Sequence, residues 1–194
     1  EVFPCEPLCL FKGEIMTNPF KERSDGRLFN QIRPFKVLWN PMEFALSSLI
    51  VQTGRTSVLC SVSIEETVPL WMEGKGKGWL TAEYRLLPGS TPNRQRREVL
   101  KLSGRTQEIQ RLIGRTLRAS LDMKVLGEKT LLIDCDVIQA DAGTRTASIT
   151  GSWIAMAIAL ERLLQRNSLV ENPLKSQVAA ISVGLLQGFP LLDL

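Results

Sequence analysis

Two short segments of this 194-residue chain carry the residue types that bind a small oxyanion: Asp141-Ala142-Gly143-Thr144-Arg145-Thr146 and Ser103-Gly104-Arg105-Thr106. Each joins a glycine, a hydroxyl and an arginine to the expected start of a helix, where unpaired N–H groups and the positive end of the helix dipole favour an anion. Arginine adds a planar fork that takes oxyanion oxygens two at a time. The chemistry this suits is the holding and orienting of phosphate. A plain structural role fits the first segment as well, with Asp141 and Thr146 capping the helix and Arg145 a surface charge. One such junction is weak evidence; two, each with an arginine and a threonine, put phosphate binding level with the structural reading.

No histidine occurs anywhere in the chain. That removes the usual general base, the usual activator of a serine or cysteine nucleophile and the commonest zinc ligand. Chemistry here must run on arginine clamps, carboxylates with a metal ion, lysine or backbone donors. The segment 93–118 holds seven arginines and one lysine against two glutamates, so it is +6, while the remainder, with 16 basic and 18 acidic residues, is −2. Arg94, Arg96 and Arg97 suit a nucleic-acid backbone, with salt-sensitive affinity, although a solvated basic loop has the same composition. Trp71, Trp79 and Phe35 offer faces for stacked bases, a role that core packing rivals. Asp134 and Asp136 alternate on one strand face and can ligate Mg²⁺, but acidic residues on the wet side of a half-buried strand look the same. Gly74, Gly76 and Gly78 match neither a P-loop nor a dinucleotide fingerprint and read as a mobile loop.

These residues need a frame. Residues 46–52 and 57–64 are β-rich runs around a hairpin loop, with Val58, Cys60, Val62 and Ile64 on one face. A third strand is expected over 79–84, and Pro88 to Pro92 breaks any regular element. Helical periodicity starts near Arg105: Ile109, Leu112, Ile113, Leu117 and Leu121 form a core stripe, with Arg111, Arg115 and Arg118 on another face. Leu126-Gly127 reads as a helix stop. A strand over 130–140, a turn over 141–146, a helix over 147–164 that is apolar nearly all round, and a last strand over 179–186 complete the pattern. Strands and helices without strict alternation give an α+β domain of two layers, a mixed β-sheet with packed helices.

With 44% hydrophobic and 23% charged residues, the balance is that of one soluble globular domain, and a net charge of +4 makes an anionic partner plausible. Four unpatterned cysteines suit a reducing cytoplasm. The apolar run of helix 147–164 is shorter than the roughly 20 residues a bilayer requires, so no membrane association is expected. Residues 1–21 are read as an irregular extension outside the fold, and 22–194 as the domain.

The runs from Leu102 to Arg115 and from Ile133 to Gly151 resemble the bacterial ribonuclease PH family. Supporting matches are Arg23-Ser24-Asp25-Gly26-Arg27, Ile32-Arg33-Pro34, Gly76 to Tyr84, Asn172-Pro173-Leu174 and Ala179 to Gly184. The resemblance implies a phosphorolytic 3′-to-5′ exoribonuclease that trims the 3′ ends of tRNA precursors, with inorganic phosphate as co-substrate and nucleoside diphosphates as products. By position it assigns Arg105 and Arg145 to catalysis, Arg105, Gly143, Thr144 and Arg145 to phosphate, and Arg94 and Arg97 to RNA, with Arg96 beside them. It also implies Mg²⁺, and a homo-hexamer built as a trimer of dimers. The family's two magnesium-binding aspartates, with a further strand and helix, are expected beyond Leu194, so this chain is expected to have little activity of its own. Glu43, Ser47 and Gly89 depart from the family pattern. So does a two-residue gap between Arg97 and Ser103, which bears on the RNA grip more than on the phosphate clamp. The alternative reading is a non-catalytic RNA-binding or ring-building subunit of exosome type.

Overall fold

A computed structural model describes residues 23, 25–99 and 101–194. The sequence-derived extension 1–21 lies outside the described residues. Seven strands and three α-helices are present among those described: β1 (Phe35–Trp39), β2 (Ser47–Thr53), β3 (Thr56–Glu65), β4 (Trp79–Leu86), α1 (Gly104–Ala119), α2 (Met123–Leu126), β5 (Thr130–Gln139), α3 (Thr144–Gln165), β6 (Val183–Leu186) and β7 (Phe189–Leu192). The first five strands make one sheet in the order β1-β2-β3-β5-β4, antiparallel throughout except for the parallel pair β4 and β5. β6 and β7 form a separate hairpin. The architecture is the expected α+β domain with a mixed sheet.

One face of the sheet is dry because its strands alternate. Val51, Val58, Cys60, Val62, Leu80, Tyr84, Ile133, Cys135 and Val137 all point to that face and are buried. Helix α1 lays Ile109, Ile113 and Leu117 over β4, and α3 lays Ala155, Met156, Ala159 and Leu160 over β2 and β3. Close approach is possible because both helices carry a glycine at the contact. A Cβ on Gly151 would sit 2.8 Å from both Cys60 Sγ and Val51 Cγ1. By length and composition alone α3 passes for a membrane span, but 56% of its apolar window is buried in this core.

Local details differ from the sequence reading in four places. β1 was not expected. The helix read as running to Leu126 breaks at Leu121, where Asp122 caps the short α2 by accepting from the N–H groups of Lys124 and Val125. α3 begins at Thr144 rather than 147, so Thr144, Arg145 and Thr146 are its first turn and not part of a preceding loop. The last strand covers only Val183–Leu186 and turns back through β7.

The parallel pair decides where function lies. β4 and β5 run side by side, so their carboxyl ends emerge at the same rim of the sheet. Each chain then passes through a loop into a helix whose N-terminus faces that rim, α1 after β4 and α3 after β5. This is how open sheets place ligands outside the carboxyl ends of parallel strands.

Candidate active site

A cleft of about 520 Å³ opens at this rim. Arg105 and Thr106 from α1 line it together with Gly143, Thr144, Arg145 and Thr146 from the start of α3. Two segments nearly forty residues apart in sequence thus meet around one space.

The two helix starts are not equivalent. Ser103 caps α1, its Oγ accepting from Thr106 N–H at 3.2 Å, so part of that terminus is already satisfied. At α3 the preceding residue is Gly143, in a left-handed conformation (φ +67°), and no side chain caps the helix. Thr146 does not cap it, since its Oγ donates backwards to Gly143 O at 2.8 Å. Among the described residues no side chain accepts from the first-turn N–H groups of α3, whose residues Thr144, Arg145 and Thr146 line the cleft. The anion-binding terminus is that of α3; α1 contributes the Arg105 side chain.

Around this terminus the polar groups are ordered. Tyr84, 1% exposed, donates from its hydroxyl to Thr144 Oγ1 at 2.9 Å and so fixes that hydroxyl. Burial raises the Tyr84 phenol above its ordinary pKa, while the Thr144 hydrogen bond and the charges of Arg105 and Arg145 oppose the rise. The phenol stays protonated and both guanidinium groups act on it. Arg145 is 42% exposed and pairs with Glu108 of α1 at 3.0 Å. Arg105 makes no ion pair among the described residues. At the opposite wall the Ser103 hydroxyl, first among several causes, holds the Glu98 carboxyl below its ordinary range.

Arg94, Arg96 and Arg97 lie in the exposed coil 93–99, whose Gln95 and Glu98 border the cleft. Arg96 and Arg97 line an adjoining recess with Arg85 and Asp136. Arg118, read on one helix face with Arg111 and Arg115, donates to Leu80 O at 2.8 Å and lies 4.6 Å over the Trp79 ring. Burial lowers its pKa, with Arg115 adding to the effect. Trp71 and Phe35 are exposed, whereas Trp79 is held beneath Arg118.

Asp134 and Asp136 occupy the face of the sheet that the helices leave uncovered, beside Glu83 and Arg85 of β4. Burial, then the charges of Glu83 and Asp136, raises Asp134 above the ordinary carboxylate value; burial also raises Asp136, against Arg85 and Arg97. A raised carboxyl pKa means that ionisation costs the fold stability above that pKa and that the cost disappears as the pH falls to the unfolded value. Asp134→Asn is therefore expected to raise the melting temperature at pH 7 and to leave it unchanged near pH 3. A melting series across that range checks the sign.

Sequence reasoning missed Tyr84 and Glu108 as parts of the site. No local pattern announces either, since each acts across a long chain separation. Only the apolar periodicity of β4, which puts Tyr84 on its inner face, could have hinted at one.

The model of the 3′ exoribonuclease family, domain 1 (RNase PH), matches residues 31–160. Ribonuclease PH of Prochlorococcus marinus is 67% identical over 180 residues, 93% of this chain and 73% of that protein. Ribonuclease PH of Parasynechococcus marenigrum is 68% identical over 179 residues, covering 92% and 72%. Among solved structures, rice (Oryza sativa) Rrp46 superposes with a TM-score of 0.71 at 24% identity, over 88% of this chain and 72% of that one. An Archaeoglobus fulgidus exosome with RNA bound to the active site gives 0.71 at 21% identity, over 89% and 70%. At such identities the structural likeness shows the fold alone.

Proposed function

Because the chain belongs to the ribonuclease PH family of 3′ exoribonucleases, we propose that the cleft holds inorganic phosphate and directs it against the 3′ end of an RNA, with tRNA precursors as the substrate. The single observation carrying this is the convergence of Arg105, Arg145 and the uncapped start of α3 on one cleft. Arg105, Arg145, Thr144 and the backbone of Gly143 are the residues we assign to phosphate, with Arg105 and Arg145 also acting in catalysis.

The reaction is one displacement. An oxygen of hydrogen phosphate attacks the phosphorus of the last internucleotide link, the bond from that phosphorus to the preceding 3′ oxygen breaks, and the proton of the hydrogen phosphate ends on that oxygen. The products are a nucleoside 5′-diphosphate and an RNA one nucleotide shorter. The chain's own residues act by position and charge. Two guanidinium groups and the helix start orient the nucleophilic oxygen and offset charge gathering on the pentavalent phosphorus. No histidine is needed. Arg94, Arg96 and Arg97, exposed beside the cleft, would take the RNA backbone.

The carboxylates around the cleft do not compose a magnesium site. Glu108 is paired with Arg145, Asp193 is enclosed by Arg33 and Arg27, and Asp141 is 4.0 Å from Arg55, which leaves Glu98, among the described residues, as the one cleft carboxylate without an arginine partner. No cluster of three candidate ligands exists among the described residues. The donor set does not fit Mg²⁺. A homo-hexameric ring, built as a trimer of dimers, and a cytoplasmic location belong to the same proposal. The two described cysteines, Cys60 and Cys135, are free and buried, which accords with a reducing compartment.

Incubation with a 3′-tailed tRNA, with and without phosphate, tests the reading. With no fitting magnesium site among the described residues, release should be slow, but the nucleotides released should be diphosphates and should require phosphate. Release of monophosphates, or release indifferent to phosphate, contradicts it. RNA binding untouched by phosphate and tolerant of Arg145→Ala would instead favour the non-catalytic subunit.

A further inference from the structure

The turn that precedes α3 is held from behind by groups that never enter the cleft. Ala142 and Gly143 both have positive φ, +61° and +67°. For alanine that conformation is strained and persists only where its surroundings enforce it. Arg33 supplies the enforcement. Its Nη1 donates to Asp141 O at 2.5 Å and its Nη2 to Ala142 O at 3.5 Å. Thr56 completes the hold: its hydroxyl donates to Ala142 O at 2.6 Å and accepts from Asp141 N–H at 3.0 Å. In a trans peptide the N–H points opposite the carbonyl, so with both carbonyls drawn to this side the N–H groups of Ala142 and Gly143 are turned the other way.

Arg33 is itself fixed. Its Nε and Nη2 form a two-point pair with Asp193 Oδ2 and Oδ1, at 2.9 and 2.7 Å, and its backbone N–H reaches Oδ2 at 2.8 Å. Asp193 is 1% exposed, takes a further bond from Arg27 Nη1 at 3.2 Å, and donates its own N–H to Ser182 O at 2.7 Å. Only a planar fork can join two carbonyls and a carboxylate in this way. We infer that Arg33, oriented by Asp193, is the positioning residue that sets the phosphate-binding turn. The inference rests on the phosphate reading of the cleft.

Phosphate affinity, affinity for a single-stranded RNA in phosphate-free buffer and melting temperature are measured on the full chain. The variants are Arg33→Lys, Asp193→Asn and, as references, Arg105→Ala and Arg145→Ala. Arg33→Lys keeps the charge but loses the fork, so the phosphate dissociation constant should rise about 10-fold or more while RNA affinity stays within about two-fold. Asp193→Asn should do the same, and combining the two should add little, since both act through one contact. Should Arg33→Lys fail to fold, Thr56→Val removes both hydroxyl bonds to the same turn and must give a rise in the same direction. Phosphate affinity unchanged in the folded variants, or RNA and phosphate affinity falling together, overturns the inference. If wild type binds phosphate and Arg105→Ala weakens it while Arg33→Lys does not, only the positioning role is lost. If wild type fails to bind phosphate, the site reading itself falls.

Discussion

Alanine at position 105 raises the dissociation constant for phosphate by about 10- to 100-fold, and alanine at 145 does the same to a smaller extent. A hydrogen bond to a charged group contributes about 1.5–3 kcal/mol, and each guanidinium can offer two to one oxyanion. The difference between the two comes from their surroundings. Arg105 has no competing carboxylate among the described residues, so its whole charge is available. Arg145 shares its charge with Glu108 at 3.0 Å, but both side chains are about half exposed, and an ion pair of that kind is worth only about 0–1 kcal/mol. Phosphate can displace Glu108 at little cost. In turnover, where the guanidinium groups also stabilise the developing charge, the loss extends to about 10²–10³-fold. Phosphate titrations of the two variants, followed by single-turnover rates with a tailed RNA, check both figures.

Gly143→Ala is expected to be more damaging, for steric reasons. A Cβ there would stand 2.9 Å from Arg33 Nη2 and 3.2 Å from Thr146 Oγ1, in a backbone conformation (φ +67°) that costs an L side chain about 1–2 kcal/mol. The strain can be relieved only by moving Arg33 off the turn or by rotating the turn itself. Both re-aim the N–H groups at the head of α3. Phosphate affinity should fall at least 100-fold, with a lower melting temperature. Gly89→Ala is the control, since a Cβ there meets nothing within 4 Å and its φ is not positive. If Gly143→Ala binds phosphate as wild type does, the turn's conformation is irrelevant to the site.

How much of this could be read before the coordinates varies with the range of the forces involved. The α1 stripe, the alternation of β3 and the boundaries of β5 follow from local periodicity, because burial on one side imposes a period of about 3.6 or 2 on neighbouring residues. Ser103 to Thr106 and Gly143 to Arg145 were visible as paired glycine, hydroxyl and arginine junctions for the same local reason. The convergence of the two junctions was not, because it depends on β4 and β5 being parallel neighbours, which no local pattern states. The start of α3 was misplaced by three residues: Thr144, Arg145 and Thr146 are polar and look like loop until the left-handed turn at Ala142 and Gly143 is known. Arg118 looked like part of a basic face because its spacing matches Arg111 and Arg115. Its guanidinium is nevertheless used by Leu80 O and the Trp79 ring, both on another element. Arg33 and Asp193 lie 160 residues apart and meet only through the fold.

The most direct measurement is a crystal structure of the chain grown in millimolar phosphate. One tetrahedral anion should lie between the Arg105 and Arg145 guanidinium groups, within hydrogen-bond reach of the first N–H groups of α3. An empty cleft, or an anion that settles at the capped start of α1 and leaves Arg145 on Glu108, would contradict the account.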